Sequence, residues 1–477
     1  MKKLWISLIF ITLACTFTAC HKDNSSKEES GSTYDLYYAN LFCANIMRSY
    51  YYWNDEVADK IDAWSSKADA AKQVEACRYE MDRWTEYTTD VEAFSGNVNK
   101  TNRSMGFDFI VSYLDAEKTR VGAVVTFIYN GSPASEMGLK RGDAIVALDQ
   151  ITLTADNYRS LLTQKIFQAN FVQLDLLDGR SIQLDAREGY LNPVQTVKTL
   201  DVNGKKIGYL HFSGFTLVAC KDLESAFRQF KEDGISELVL DLRYNGGGYM
   251  QTSTVLASMI APLDVVQERN VFNKNLYNRV YSEHLEEIGT KTDVNFAPQF
   301  DMRANDLGTI DAAGVNPGIS HLWVIVGPNT ASASESLICG LKPYMDVTLV
   351  GQTTYGKFCG GNIIPAADWY DALGETDTKV NWQSGKRHTA NCGIYVMTSV
   401  YADKNGLTLS MPSGIPADIA ANDRPMDGFQ LGDPSETMLA TVLALSATKA
   451  PVETPAGETP AGEALPFHKP GFGLLIY

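Results

Sequence analysis

The sequence predicts a multidomain α/β protein, with a small helical unit first, a β-rich unit second and a larger unit of alternating strands and helices third. Three observations predict it. The chain has 477 residues, more than one compact core usually holds. Apolar positions recur at helical spacing from Leu36 to about Trp84, then as short strand-like runs from Phe107 to Leu177. From about residue 195, buried-strand and helix patterns alternate, which is how an α/β layer structure reads in sequence.

Taken in order, residues 1–20 open with Lys2 and Lys3 and continue in an apolar run from Leu4 to Leu13. The run is too short for an ordinary spanning helix and reads as a secretory signal, so the mature chain is expected to be exported. It ends in Phe17-Thr18-Ala19-Cys20, after which the sequence turns polar from His21. This is similar to a bacterial lipoprotein cleavage site. The resemblance implies that Cys20 becomes the acylated first residue and ties the chain to a membrane of the cell envelope. Cys15 competes, but it sits inside the apolar stretch. Residues 21–34 read as a flexible tether and 35–100 as the helical domain. Within that domain Tyr50, Tyr51, Tyr52 and Trp53 are expected to form core or a docking face.

Composition removes several classes. A formal net charge of -16 and a pI near 4.9 exclude a phosphate-backbone reader, which concentrates Lys and Arg into a positive footprint. No nucleic-acid partner is expected. Past the leader, Cys43, Cys77, Cys220, Cys339, Cys359 and Cys392 show no CxxC spacing, so neither a zinc knuckle nor a dense disulfide scaffold is expected. Buried free thiols are the default, with Cys43 and Cys77 the first pair to consider for a disulfide.

The second unit, residues 104–190, carries Asn130-Gly131-Ser132-Pro133-Ala134 and then Gly138-Leu139-Lys140-Arg141-Gly142-Asp143 between strand-like runs. That order resembles a bacterial PDZ domain, in which an extended peptide adds as a strand and loop amides take its terminal carboxylate. The resemblance puts the loop at Met105, Gly106 and Phe107, with one glycine where the better-known version has two. The third unit, 195–446, is expected to place strands at Ile207–Phe212, Glu237–Leu242, Leu322–Val326 and Val347–Val350, with helices at Leu223–Phe230 and about 334–344. Residues 447–477 include a Glu-Thr-Pro-Ala-Gly repeat and are expected to stay unpacked.

Three segments of the third unit carry chemistry. Thr330-Ala331-Ser332-Ala333-Ser334-Glu335 follows a buried strand and opens a helix, presenting a hydroxyl beside free amides. Alone it is ambiguous, because capping is the commoner reason to find Ser and Thr at such a place. Asp241-Leu242-Arg243-Tyr244-Asn245-Gly246-Gly247-Gly248 ends a strand in glycines that let a substrate approach the backbone. Gly351-Gln352-Thr353-Thr354-Tyr355-Gly356-Lys357 sets one lysine among small residues. In this order, and with Gly414-Ile415-Pro416-Ala417-Asp418 later, the motifs resemble the C-terminal processing peptidases, or tail-specific proteases, over nearly the whole mature chain.

That resemblance implies a catalytic domain of the crotonase-like, tail-specific protease type. It makes Ser332 the nucleophile, Lys357 its base, and the Ala333 and Gly247 amides the oxyanion hole, with Ser334 structural. Gly247 is preferred to Gly246 because relatives often have Pro at the latter position, which has no N–H. A lysine base must be neutral, so burial has to lower its pKa from about 10.4. No metal or cofactor is called for, and the partners are protein or peptide substrates. The family's glutamine, four residues after the lysine, is Gly361 here, with Asn362 the nearest polar replacement. His211 is the alternative base. There is no Gly-x-Ser-x-Gly elbow, and Ser446-x-x-Lys449 lies where the fold gives way. The expected function is a serine endopeptidase acting on envelope or exported proteins, near C-termini or in unfolded segments. The rival readings are a catalytically degenerate peptide-binding lipoprotein and a glycan-capturing lipoprotein.

Overall fold

The computed structural model describes residues 31–99, 103–374, 380–408, 411, 413–448, 464–465, 467 and 475–476. Cys20, the leader and most of the tether lie outside them.

The centre of the third unit is a six-stranded sheet in the order Ile419–Ala420, Val347–Gly351, His321–Val326, Glu237–Asp241, Lys205–Phe212, Val194–Val202. All neighbours are parallel except the last pair. Strand residues alternate between faces, and the alternation separates two cores. Leu238, Leu240, Leu322, Val324 and Val326 face a cluster that includes Ala219, Leu223 and Phe227 of helix Ala219–Asp233, and Leu337 and Ile338 of helix Ala333–Leu341. Val239, Trp323 and Ile325 face Met438, Leu439 and Val442 of helix Thr437–Thr448. A sheet buried on both sides explains why these strands read as continuous apolar runs. The expected strands and helices of this unit are present, with ends moved by up to four residues.

The β-rich unit is an antiparallel sheet that includes Phe107–Tyr113, Val121–Ile128, Ala144–Leu148, Phe171–Leu176 and Ser181–Asp185. It is joined to the third unit by buried ion pairs. Arg141 donates to the Thr126 carbonyl (2.8 Å), the Tyr244 hydroxyl (2.6 Å) and Asp423, while Arg243 pairs with Asp241, Asp423 and Glu436.

The first helices, Gly31–Tyr50, Ala58–Asp62 and Ala70–Cys77, do not enclose a core of their own. Tyr50, Tyr51, Trp53 and Trp84 share one cluster with Cys359, Ile364, Tyr395, Met397 and Val400 of the third unit. The aromatic run is therefore core. All six described cysteines are free thiols, so Cys43 and Cys77 are not joined, and both are buried. The expectation of an unpacked segment after 446 fails at its described residues. The last helix runs to Thr448, Ala464–Leu465 and Leu475–Ile476 are strand-paired, and Phe467 packs on Phe109 and Phe167. The reason is that the apolar Leu465 and Phe467 meet an open sheet edge beside other aromatics.

Candidate active site

Ser332 stands where the loop after strand His321–Val326 turns into helix Ala333–Leu341. Its backbone has φ 63° and ψ -114°, a strained region for a residue with a Cβ. Neighbouring bonds hold it there. The Ala331 N–H and the Ser334 hydroxyl both donate to the Asn245 carbonyl (3.0 and 3.1 Å), and Thr330 Oγ1 donates to the Leu242 carbonyl (2.8 Å). The Ser332 hydroxyl is buried and has no hydrogen-bond partner of good geometry in the protein, the Glu335 N–H only facing it as in a capping box, an arrangement that normally costs stability and calls for an explanation.

Gly247, at φ 100°, packs directly on this turn. A Cβ there would lie 2.7 Å from Ser332 Cβ and 3.0 Å from the Ala333 nitrogen, so only glycine permits the approach. Ala333 is the first residue of the helix, where amides lack intrahelical acceptors. The Gly247 N–H, in contrast, already donates to Asn245 Oδ1 (2.9 Å). Any other acceptor for this N–H has to displace that side-chain oxygen.

Lys357 is fully buried. Its Nζ lies 3.2 Å from the Tyr395 hydroxyl and over the rings of Trp84 (5.0 Å to the centroid) and Tyr395 (5.4 Å). Burial brings its pKa down to about 8, against the opposing pull of Cys359, Asp82 and Glu335. That value is low enough for a substantial neutral fraction near neutral pH.

Two residues tie the Ser332 and Lys357 segments together, and sequence reasoning gave neither a role. Glu335 accepts the N–H of Ser332 (2.8 Å) and of Lys357 (2.9 Å) on one carboxylate oxygen, and the N–H of Gly356 (2.7 Å) and the Thr354 hydroxyl (2.5 Å) on the other. Burial raises its pKa to about 7 while these donors lower it. Thr354 Oγ1 itself accepts the Ile415 N–H (2.7 Å), so its proton points at Glu335 and the carboxylate is the form that fits. The Tyr401 hydroxyl lies 3.1 Å from the carbonyls of both Ser332 and Lys357. The Ser332-x-x-Glu335 spacing at a helix start was a legible signal for Glu335; Tyr395 and Tyr401 had none.

Asn362 does not stand in for the family's glutamine. Its amide donates to Thr398 Oγ1 (3.0 Å). A side chain at Gly361 has no room, since its Cβ would meet Met397 Cε at 2.4 Å and the Val396 carbonyl at 2.6 Å. Tyr395 holds the lysine instead. His211 is buried against Phe127 and Tyr244 with neither ring nitrogen bonded, and burial pushes its pKa down to about 4. Ser446 is committed to Glu237 (2.6 Å). In the β-rich unit Met105 is buried, Gly106 sits at φ 81° with its N–H on Ser104 Oγ (3.0 Å) and its carbonyl on Ser132 Oγ (2.9 Å), and Phe107 starts the strand. Among the described residues, no group of three or more His, Cys, Asp or Glu side chains is placed to hold a metal ion.

Residues 206–420 match Peptidase family S41. The chain is 29% identical over 266 residues to the carboxyl-terminal-processing protease of Synechocystis sp. (strain ATCC 27184 / PCC 6803 / Kazusa), covering 54% of each. It is 23% identical over 389 residues to the carboxy-terminal processing protease CtpA of Bacillus subtilis (strain 168), covering 80% of this chain and 73% of that one. The chain spans about half the length of the first two curated relatives it matches. The fold superposes on the crystal structure of an S41-family protein from Bacteroides fragilis NCTC 9343 with a TM-score of 0.66 at 20% identity, covering 90% of this chain and all of that one.

Proposed function

From the match of residues 206–420 to peptidase family S41 and the likeness to carboxyl-terminal processing proteases, we propose that the chain is a member of that family and a serine endopeptidase using Ser332 and Lys357. The observation that carries the proposal is the Ser332 hydroxyl, buried and unpartnered on a strained helix-opening turn, joined through Glu335 and Tyr401 to a buried lysine of lowered pKa. Neutral Lys357 takes the Ser332 proton as Oγ attacks the peptide carbonyl. The oxyanion is received by the Ala333 amide and by the Gly247 amide once Asn245 yields. Lys357 then gives its proton to the departing amine, leaving an ester on Ser332. Water attacks that ester with Lys357 again as base, releasing the carboxylic acid and restoring the hydroxyl. Tyr395 positions Nζ throughout.

The β-rich unit presents substrate as a PDZ-like module around Met105, Gly106 and Phe107, with strand addition on Phe107–Tyr113 as its mode. Substrates are envelope or exported proteins, near C-termini or in unfolded segments, and a lipid on Cys20 holds the enzyme at the membrane. The deciding experiment is casein hydrolysis by wild type, Ser332→Ala and Lys357→Ala, with fluorophosphonate labelling of Ser332 in parallel. Cleavage and labelling that vanish with Ser332→Ala are expected. A wild type that neither cleaves nor labels refutes the peptidase and leaves a peptide-binding protein. Mass spectrometry of envelope-purified protein tests the anchor: an unmodified Cys20 overturns it.

A further inference from the structure

Two short strands late in this chain pair with the edge that the proposed function assigns to peptide substrates and with backbone beside Ser332 and Lys357. Ala464–Leu465 adds antiparallel to Phe107–Tyr113, with Leu465 opposite Val111 and Ala464 opposite Ser112. This direction carries the segment toward the Gly106 loop. Leu465 and Phe467 pack on the core of the β-rich unit, and the Phe467 ring lies 5.5 Å from Phe109 and 6.0 Å from Phe167. Further on, Leu475–Ile476 runs parallel to two strands at once: Leu475 is opposite Gly248, and Ile476 is opposite both Tyr249 and Gly361.

The position of that second pairing matters. Gly248 follows Gly247, whose backbone rests on Ser332, and strand Cys359–Pro365 starts two residues after Lys357. In the sheet order, Leu475–Ile476 is the strand between Gly248–Tyr249 and Cys359–Pro365. It fills a strand-wide gap between backbone that flanks Ser332 and backbone that follows Lys357. The eight steps from Phe467 to Leu475 reach at most about 29 Å when extended, so one short piece of chain serves both edges.

We propose that Ala464, Leu465, Phe467, Leu475 and Ile476 act as a built-in ligand of the peptide cleft, competing with external substrates, and that the groove on Phe107–Tyr113 takes peptides carrying an aliphatic residue followed two positions later by an aromatic one. The inference rests on the reading of these edges as substrate sites. A tethered segment acts at an effective concentration of about 1 mM, so an intrinsic dissociation constant of roughly 100 μM weakens a competing peptide about tenfold.

The test keeps the full chain. In a Ser332→Ala background, which reads binding alone, a fluorescein-labelled peptide of residues 462–477 is titrated by anisotropy into the otherwise unaltered chain. It is also titrated into a Leu465→Asp/Phe467→Asp variant and into Ile476→Pro, which removes a backbone donor from the second pairing. Both variants are expected to bind the peptide about tenfold more tightly. The same peptide with Asp at the positions of Leu465 and Phe467 is expected to bind at least tenfold more weakly. Affinities equal within twofold across all three chains overturn the inference, as does equal binding of the two peptides. Casein hydrolysis with Ser332 present separates the two readings. Tighter peptide binding without hydrolysis upholds the built-in ligand and removes the peptidase. Equal hydrolysis by all chains with unchanged peptide affinity upholds the peptidase and removes the built-in ligand.

Discussion

Replacing Lys357 by Met is expected to stabilise the protein at neutral pH while abolishing hydrolysis. The ammonium is fully buried, and its pKa falls from 10.5 to about 8 because burial disfavours the charge. At 1.36 kcal/mol for each tenfold change in proton affinity, that difference corresponds to roughly 3 kcal/mol of destabilisation when the folded lysine is charged. The sign follows from proton counts. Between pH 8 and 10.5 the unfolded lysine holds a proton that the folded one has lost, so wild-type stability rises with pH through this window. Below pH 8 both forms are protonated and the full cost is present. Met keeps the stem's bulk, removes the charge, and leaves the Tyr395 hydroxyl without its 3.2 Å contact to Nζ, a loss of about 1 kcal/mol. The net expectation is a variant more stable than wild type by about 2 kcal/mol at pH 7. Above pH 10 it is level with wild type or slightly less stable. The assay is denaturant unfolding of both proteins at pH 7 and pH 10, compared as a difference so that every other titrating group cancels. A variant less stable than wild type by the same amount at both pH values would refute the buried, charge-strained lysine.

The same group sets the rate profile: with Lys357 near 8, kcat/KM for an unstructured substrate should rise about tenfold from pH 6 to 7 and flatten above pH 9. A flat profile over that range removes Lys357 as base. Glu335→Gln replaces one acceptor oxygen by an NH2 that cannot accept and leaves the two donors that face it unpaired, a loss of roughly 2–5 kcal/mol. A lower melting temperature and kcat down by about 100-fold with KM little changed are expected, and an unaffected kcat shows that the tie between the two segments is dispensable. Gly361→Gln restores the family's residue but drives its Cβ into Met397, the Val396 carbonyl and the Tyr395 ring, an overpacking cost of about 1–3 kcal/mol. Lower stability and lower activity are expected; a more active variant would show that Tyr395 is a poor substitute.

The parts of the site that could be read from sequence are those carried by contiguous segments. The turn at Ser332, the glycines from Gly246 and the loop at Lys357 each end a strand, and strand ends are marked locally by apolar runs giving way to small residues. Tyr395 and Tyr401 escaped because they lie on a ten-residue buried strand whose sequence reads as core throughout, and a break in its register between them sends the two rings into different clusters. Only its pairing with Cys359–Pro365 brings Tyr395 to a lysine 38 positions earlier. Glu335 was within the quoted motif, but its acceptor role depends on a loop twenty residues away. The end of the chain was misread for the opposite reason. Its Pro and Gly content reads as unable to pack, yet a two-residue strand needs no core of its own when an open edge receives it.

The shared core beneath strand Gly393–Ala402 has a consequence for how this architecture can be taken apart. Met397, Val400 and Tyr395 are covered by Tyr51, Trp53 and Trp84, and the Trp84 ring also lies against Nζ of Lys357. The leading segment, through Trp84 just after its helices, is therefore part of the wall around the lysine. A fragment starting at residue 103 would retain every residue assigned to catalysis and still expose that ammonium, returning its pKa toward that of an ordinary surface lysine. The leading helices cannot be traded between relatives as a cassette unless the facing side of this one strand travels with them.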